Sequence, residues 1–533
     1  MRMREYRAYD SSRKSRHSKS RIVVYLVLIL LIVSGFFAYK HFTKPQPIAE
    51  AVINLLRFDD SVGNSEKTKI RQSVKEQVDS IKGIITTTVE TKQETNASDK
   101  LLDAYVPVTS VRSSVQQFTT EQVASGQLYI LENSDEEIAS AIEKLYSLQS
   151  GTIKTIANLD NLDVNQFVFI PVSELTYKVK LLSIDSNYYL DNYTSGAYFR
   201  TVSFSGGSSD ALSSVNFNNL PSKDTIMKFN QTGVTALTRV MMKKLNEVGD
   251  PKYFSAKIGA FLSDADITHV SNEVSFKENC GFSSSAFCSD PRFIETLKDS
   301  GVDLVELTGN HNNDVGSEYD TQTINLYHSL GWNTFGGGLN STEAAKYYET
   351  EIKGTKIAFL GYNYADTPHG LAIATATEAG SNSFDFDRIQ SDIDSAKTNG
   401  NFVVIDVQYW ECYAYPDGFV EYPICDLPIG EQESVFKKLI DMGADMVVGT
   451  QAHQPQIYEL YKGKPIYYGL GNLYFDQTNW PGTERGIILS HYFLNGQLIQ
   501  TRLTPTIYDA ALQTAPMDNA SAESFLKRLL TAR

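Results

Sequence analysis

From about residue 230 onward, short apolar runs alternate with stretches of helical periodicity. The runs VTALTR (234–239), ITHVSNE (267–273), VDLVELTGN (302–310), IAFLGYN (357–363), FVVIDVQYW (402–410), MVVGTQ (446–451) and PIYYGLGN (465–472) read as strands. Brief apolar runs bounded by turn residues carry that signal. Between them, DPRFIETLKDSG, YDTQTINLYHSLG and GEQESVFKKLIDMG place apolar residues at helical spacing and end on a glycine suited to a helix C-cap. Such alternation predicts a layered α/β domain over 229–533. Polar residues cluster just after the strand ends, where sites form in such sheets.

Upstream the pattern is weaker. LLDAYVPVTSV predicts a strand and turn, SDEEIASAIEKLYSL a helix, VNQFVFIPVSEL a strand ending at Pro171, and VKLLSID and YYLDNY further short strands. Together they suggest a small α/β accessory module over 101–228, loosely resembling one lobe of a solute-binding fold. No catalytic constellation is visible in it. Residues 43–100 are polar and sparsely apolar, and read as a stalk or linker.

The run Ile22–Tyr39 has 18 uncharged residues, enough to span about 27 Å as a helix. It ends in bulky and charged residues rather than a small-residue cleavage site. We therefore expect an uncleaved signal anchor over 22–42, with a cleaved signal or a buried helix as alternatives. Residues 1–21 carry eight Lys/Arg against two acids. The positive-inside rule places this tail in the cytoplasm and the main domains outside, so the cytoplasmic membrane is an expected partner. That tail also changes how the net charge of −15 is understood, because the other 512 residues then carry −21. An acidic body argues against nucleic-acid binding, which needs a basic footprint. With 42% apolar residues, a sizeable core can form.

Four cysteines, Cys280, Cys288, Cys412 and Cys425, fall in two close pairs. Local disulfides are the simplest pairing in an oxidising compartment; a four-thiolate zinc site and free thiols remain alternatives.

The chemistry-bearing motifs follow strand ends. LTGNHNNDVG (307–316) crowds Asn310, His311 and Asp314 after Gly309. GTQAHQPQ (449–456) carries Gln451 and His453, and YYGLGNLYFDQ carries Asn472 and Asp476. Asn272 and Glu273 end one strand, and Gln408 and Glu411 lie at the end of another.

In this order, GVTALTR, SNEV, GNHNND, FGGGLN, VVIDVQYWECY, GADMVVGTQAHQPQIYEL and GKPIYYGLGNLYFDQ resemble the CapA-type poly-γ-glutamate capsule synthesis family. The resemblance covers about 230–510. It implies a four-layer metallophosphoesterase-like α/β sandwich, tethered to the membrane and involved in making, exporting or trimming an anionic cell-surface polymer. It also implies envelope-synthesis partners and a divalent metal ion. Departures stand out. Val234 replaces an Asp, the N-L-E motif is shortened to Asn272-Glu273, Gln408 takes the place of a His, and Gln451 replaces the first His of G-H-x-P-H.

The remaining set suggests Glu273, Asn310 and His453 as metal ligands. Glu273 or Glu411 would be a general base and His311 an acid or oxyanion stabiliser. Asn272, Asp314, Gln408, Gln451 and Asn472 would face substrate. Tyr409, Trp410, Tyr413, Tyr468 and Tyr474 would form the walls. A metal-dependent hydrolase or transferase and a non-catalytic, polymer-binding assembly factor are both compatible with this set. A solute-binding receptor built on the accessory module is a third reading.

Overall fold

The computed structural model describes positions 68, 72, 91 and 92 and then residues 100–532, apart from 120–126, 135, 194–197, 206–222, 282–285, 366–369, 413–424 and 478–479. The expected tail and anchor, and nearly all of the stalk, lie outside the described residues. Among the described residues no helix is long and apolar enough to cross a membrane.

The accessory module is a mixed sheet. Its strands are β1 (Lys100–Ser110), β2 (Gln127–Leu131), β3 (Lys154–Ile156), β4 (Gln166–Pro171), β5 (Val179–Leu181) and β6 (Phe199–Ser205). Helix α1 (Glu136–Leu145) falls within the expected helical stretch. In the sheet β6 lies beside β1, followed by β4, β2 and β3. Residues 188–193, expected as a strand, form turns instead. Their tyrosines plug separate places: Tyr189 meets Tyr198 edge-on at 5.1 Å, and Tyr188 packs on Tyr492 of the main domain. A strand would need them on one alternating face.

The main domain continues with β7 (Ile226–Gln231), β8 (Val234–Ala236), α2 (Arg239–Val248), β9 (Ile267–Asn272), α3 (Ile294–Asp299), β10 (Leu304–Glu306), α4 (Ser317–Ser329) and β11 (Asn333–Phe335). There follow β12 (Tyr348–Ile352), β13 (Thr355–Asn363), α5 (Phe386–Thr398), β14 (Phe402–Gln408), α6 (Gln432–Asp441), β15 (Met446–Gly449), β16 (Tyr458–Tyr461) and β17 (Lys464–Tyr467). The chain closes with β18 (Asn472–Phe475), β19 (Arg485–Leu494), β20 (Gln497–Tyr508), β21 (Thr514–Pro516) and α7 (Asn519–Leu530).

Two sheets result. One runs β11-β10-β9-β7-β19-β20-β21, with β8 beside β9 and β18; the other runs β12-β13-β14-β15-β17-β16. The motif-bearing strands β8, β9, β10, β14 and β15 pair in parallel, so their C-terminal ends point the same way in each sheet. Phe229, Ile267, Leu304, Phe359, Val404 and Met446 fill the space between the sheets. Helices α2, α3 and α4 cover the first sheet through Leu245, Leu297 and Ile324, and α5 and α6 cover the second through Ile393 and Leu439. The domain is therefore a four-layer α/β sandwich.

VTALTR is not one strand. It stops at Ala236, and α2 begins at Arg239, whose φ of +42° is left-handed. A non-glycine residue there is strained and needs other contacts to hold it. Both cysteine pairs close locally, Cys280–Cys288 and Cys412–Cys425.

In the first turn of α4, Asp320 is buried, and burial pushes its carboxyl up to about 7. An ordinary Asp titrates near ~3.9. Between those values the native state holds a proton that the unfolded chain has lost. The stabilising effect of that proton is complete below about pH 4 and is lost as the pH rises through 7. D320N should therefore raise the melting temperature at pH 8 and change it little at pH 4, as thermal denaturation at the two pH values will show.

Candidate functional site

The site forms where the motif strands end between the two sheets. Gly309 follows β10 beside Glu273, and a Cβ there would stand 2.6 Å from the Glu273 Cα. The tight approach lets the GNHNND turn fold over the end of β9. Asn312 braces that turn by donating to the Leu307 carbonyl at 2.9 Å, and Asn313 does so by donating to the Ala379 carbonyl at 2.9 Å.

Glu273 is fully buried at the base of the site. Its Oε1 accepts from Gln408 Nε2 at 3.4 Å, while Oε2 has no partner. Burial holds its carboxyl well above the usual range, and the charges of Glu411, Glu306 and Asp314 add to that effect. Burial therefore favours its protonated form. Gln408 Nε2 also donates to Asn310 Oδ1 at 3.2 Å, and Gln408 Oε1 accepts from Thr450 Oγ1 at 3.3 Å. One amide thus ties together three strand ends.

Nearer the opening, His311 Nδ1 faces Asp314 Oδ2 at 2.8 Å. A ring nitrogen against a carboxylate donates, so Nε2 is turned away from Asp314. His453 Nδ1 lies 3.0 Å from Asn472 Oδ1. Asn472 Nδ2 donates to Gln477 and to the Thr483 carbonyl, which makes its Oδ1 an acceptor and His453 Nδ1 the donor. His453 Nε2 then presents a lone pair 4.0 Å from Glu411 Oε1. Burial lowers the His453 pKa, so the ring is neutral at neutral pH. Gln451 Nε2 donates to Glu411 Oε1 at 3.3 Å.

Several side chains fall outside this grouping. Asn272 points to the opposite face of its strand, where it donates to the Val274 carbonyl and to the Tyr327 hydroxyl. Tyr468 and Tyr474 are core residues, stacked on Phe436 and bonded to Ser300 respectively, so they do not wall the site. Tyr409 is buried against Tyr364, while Trp410 is exposed. Tyr413 lies outside the described residues.

The observed walls are Phe287, 4.6 Å from the His311 ring, and Phe475, 5.2 Å from His453. Between them sits the Arg239 guanidinium, 4.7 and 4.8 Å from the two rings and held by Asp476 at 2.9 Å. These contacts account for the strained Arg239 backbone. The arginine lay in view within GVTALTR. Its only signal was a cation beside a strand end, and nothing local announced its two rings.

A metal held by Glu273, Asn310 and His453 would need three lone pairs around one point. Gln408 instead puts N–H groups on Glu273 and Asn310, and Gln451 puts one on Glu411. These donors occupy Glu273 Oε1, Asn310 Oδ1 and Glu411 Oε1, and leave Glu273 Oε2 buried without a partner. Among the described residues, the one group of three His, Cys, Asp or Glu residues with ligand atoms within 4.8 Å of one another is His269, Glu306 and Asp406, deeper between the sheets. The strand-end residues as they stand do not fit a metal, and no step below uses one there.

A four-layer α/β sandwich with a carboxylate, amide and imidazole site at its parallel strand ends is the class of protein defined so far. Residues 228–477 match the family described as bacterial capsule synthesis protein PGA_cap, and this stretch of the chain is a divergent match to it. It is 28% identical over 203 residues to the capsule biosynthesis protein CapA of Bacillus anthracis, covering 37% of this chain and 46% of that one. It is 24% identical over 238 residues to the PGA biosynthesis protein CapA of Bacillus subtilis, covering 44% and 59%. The chain thus spans about half the length of these curated relatives. Among solved structures, the sulfate thiohydrolase SoxB of Thermus thermophilus aligns at 13% identity with a TM-score of 0.26, over 45% of this chain and 38% of that one. That likeness is too slight to bear on the fold or the function.

Proposed function

We propose that this chain acts as a hydrolase or transferase on an anionic cell-surface polymer of the poly-γ-glutamate type, within capsule biosynthesis. The observation that carries this reading is the pair of oriented histidines. His311 and His453 each spend Nδ1 on a fixed partner, and His453 Nε2 stands 4.0 Å from Glu411 Oε1. The relatives' names supply the polymer.

In this reading Glu411, the most accessible acid of the set, takes a proton from water as the oxygen attacks an amide carbonyl. His311 gives a ring proton to the leaving nitrogen. Protonated Glu273 and the Arg239 guanidinium stabilise the developing oxyanion. A membrane anchor at 22–42 would hold the domain at the outer face of the membrane, close to an envelope-synthesis machine.

A second reading is favoured by one observation. Gln408 and Gln451 cross-link the acids where the family pattern has imidazoles, which suits a binding scaffold without turnover. Purified protein incubated with poly-γ-glutamate separates the two readings. Chain shortening or transfer that falls at least ~100-fold in H311A and E411Q supports catalysis. Binding without any turnover supports the scaffold.

A further inference from the structure

Beneath the strand-end site the space between the sheets carries a second polar layer that the proposed chemistry does not use. His269, Glu306 and Asp406 are fully buried there, with Gln231 and His491 beside them. His269 comes from β9, Glu306 from β10 and Asp406 from the facing sheet, so three strands of two sheets meet at this point. Each of the three residues brings a possible ligand atom within 4.8 Å of the others, and His269 Nε2, Glu306 Oε2 and Asp406 Oδ2 make no hydrogen bond. Thr308 Oγ1 and Glu273 Oε2, nearer the strand ends, are likewise buried without partners. Buried polar atoms are nearly always satisfied, and such a run of exceptions calls for an ion or ordered water.

The opposite atoms of each group are already occupied. Asp406 Oδ1 accepts from Gln231 Nε2 at 2.7 Å, and Glu306 Oε1 accepts from the Thr308 N–H at 3.1 Å. Those bonds leave Glu306 Oε2 without a partner and Asp406 Oδ2 3.2 Å from His269 Nε2, holding the carboxylates as outer partners do for metal ligands. Ser271, in register with Glu306, offers a further oxygen. His269 Nδ1 accepts from the Thr232 N–H at 3.5 Å, a long bond that is given up when Nε2 takes a cation and the ring proton moves to Nδ1. His269 Nε2 stands 3.2 Å from Asp406 Oδ2 without hydrogen-bond alignment.

Electroneutrality points the same way. Two carboxylates are buried together, and among the described residues no lysine or arginine pairs with either. Such a pair must gain positive charge from protons or from an ion.

We propose that His269, Glu306 and Asp406 bind one divalent first-row transition cation in the interior of the sandwich, below the strand-end site. One imidazole nitrogen and two carboxylate oxygens form a donor set suited to zinc, manganese or iron. Because the group is wholly enclosed, the ion would enter as the domain folds and would leave only on unfolding.

The test is elemental analysis of the full chain, purified without chelator from cells supplied with zinc, manganese and iron. We expect about one ion per chain, with X-ray absorption showing one nitrogen and two or three oxygens at roughly 2.0–2.2 Å. H269Q, E306Q and D406N should each lower occupancy at least tenfold, while E273Q and H453Q should keep it. The wild-type spectrum stands even where a variant fails to fold. Metal-free wild-type protein with an unchanged melting temperature on metal addition would overturn the proposal and leave a proton-sharing acid pair. Loss of metal in E273Q or H453Q with retention in the deeper variants would overturn it too.

Discussion

Exchange of Gln408 for leucine should destabilise the main domain more than any other single exchange at the strand ends. Gln408 is fully buried, and its amide joins Glu273, Asn310 and Thr450. Leucine fills a similar volume and supplies no polar atom. Two buried groups, Glu273 and Thr450, then lose a partner at about 1–3 kcal/mol each, and the half-buried Asn310 loses one as well. A net loss on the order of 3 kcal/mol or more should lower the melting temperature by several degrees. Gln408→Glu should be almost as damaging, because it sets a second acid against Glu273. A denaturation series comparing both variants with wild type gives the measurement. A Q408L protein as stable as wild type would mean that the amide is not holding the strand ends.

The second large effect is steric. Gly309→Ala adds one Cβ at 2.6 Å from the Glu273 Cα and 3.1 Å from its Cβ. The first of these atoms is backbone, so the strand ends must part. Overpacking of this kind typically costs about 1–3 kcal/mol, and more where backbone must move. Function should suffer beyond stability, since the displaced turn carries Asn310 and His311. The expected result for G309A is a lower melting temperature together with loss of polymer binding at a temperature where the protein is still folded. Unchanged binding would show that the turn tolerates the shift.

The site-bearing layers were largely legible because buried parallel strands are short apolar runs with polar ends. Seven such runs were read, and all contain strand residues. VTALTR misled because its apolar content is continuous, while the chain turns at Arg239 to start a helix. Strands β19 and β20 were missed although Asn495 and Gly496, both at positive φ, form the hairpin turn between them. An Asn-Gly pair between apolar runs is a strong hairpin signal. Helix α7 was missed as well, though Asp518 caps it by accepting from the Ser521 N–H.

Many of the residues gathered at the strand ends could be named from the sequence, but not Arg239, Phe287 or Phe475, and the pairings could not. His311 with Asp314 could be read from a three-residue spacing. His453 with Asn472, Gln408 with Glu273 and Asn310, and Arg239 between Phe287 and Phe475 depend on strands far apart in the chain. The same holds for the layer of His269, Glu306 and Asp406. Each of these sits inside an apolar strand run, where a single polar residue looks like an ordinary interruption.

The central claim is that the strand-end site works on the capsule polymer. The most direct measurement is the amount and chain length of surface polymer from cells in which H311A replaces the wild-type chain at equal protein level. His311 is partly exposed and its side chain bonds to Asp314 near the surface, so exchange to alanine should spare the fold. We predict loss of the polymer or a clear change in its length. Polymer of normal amount and length would contradict the account.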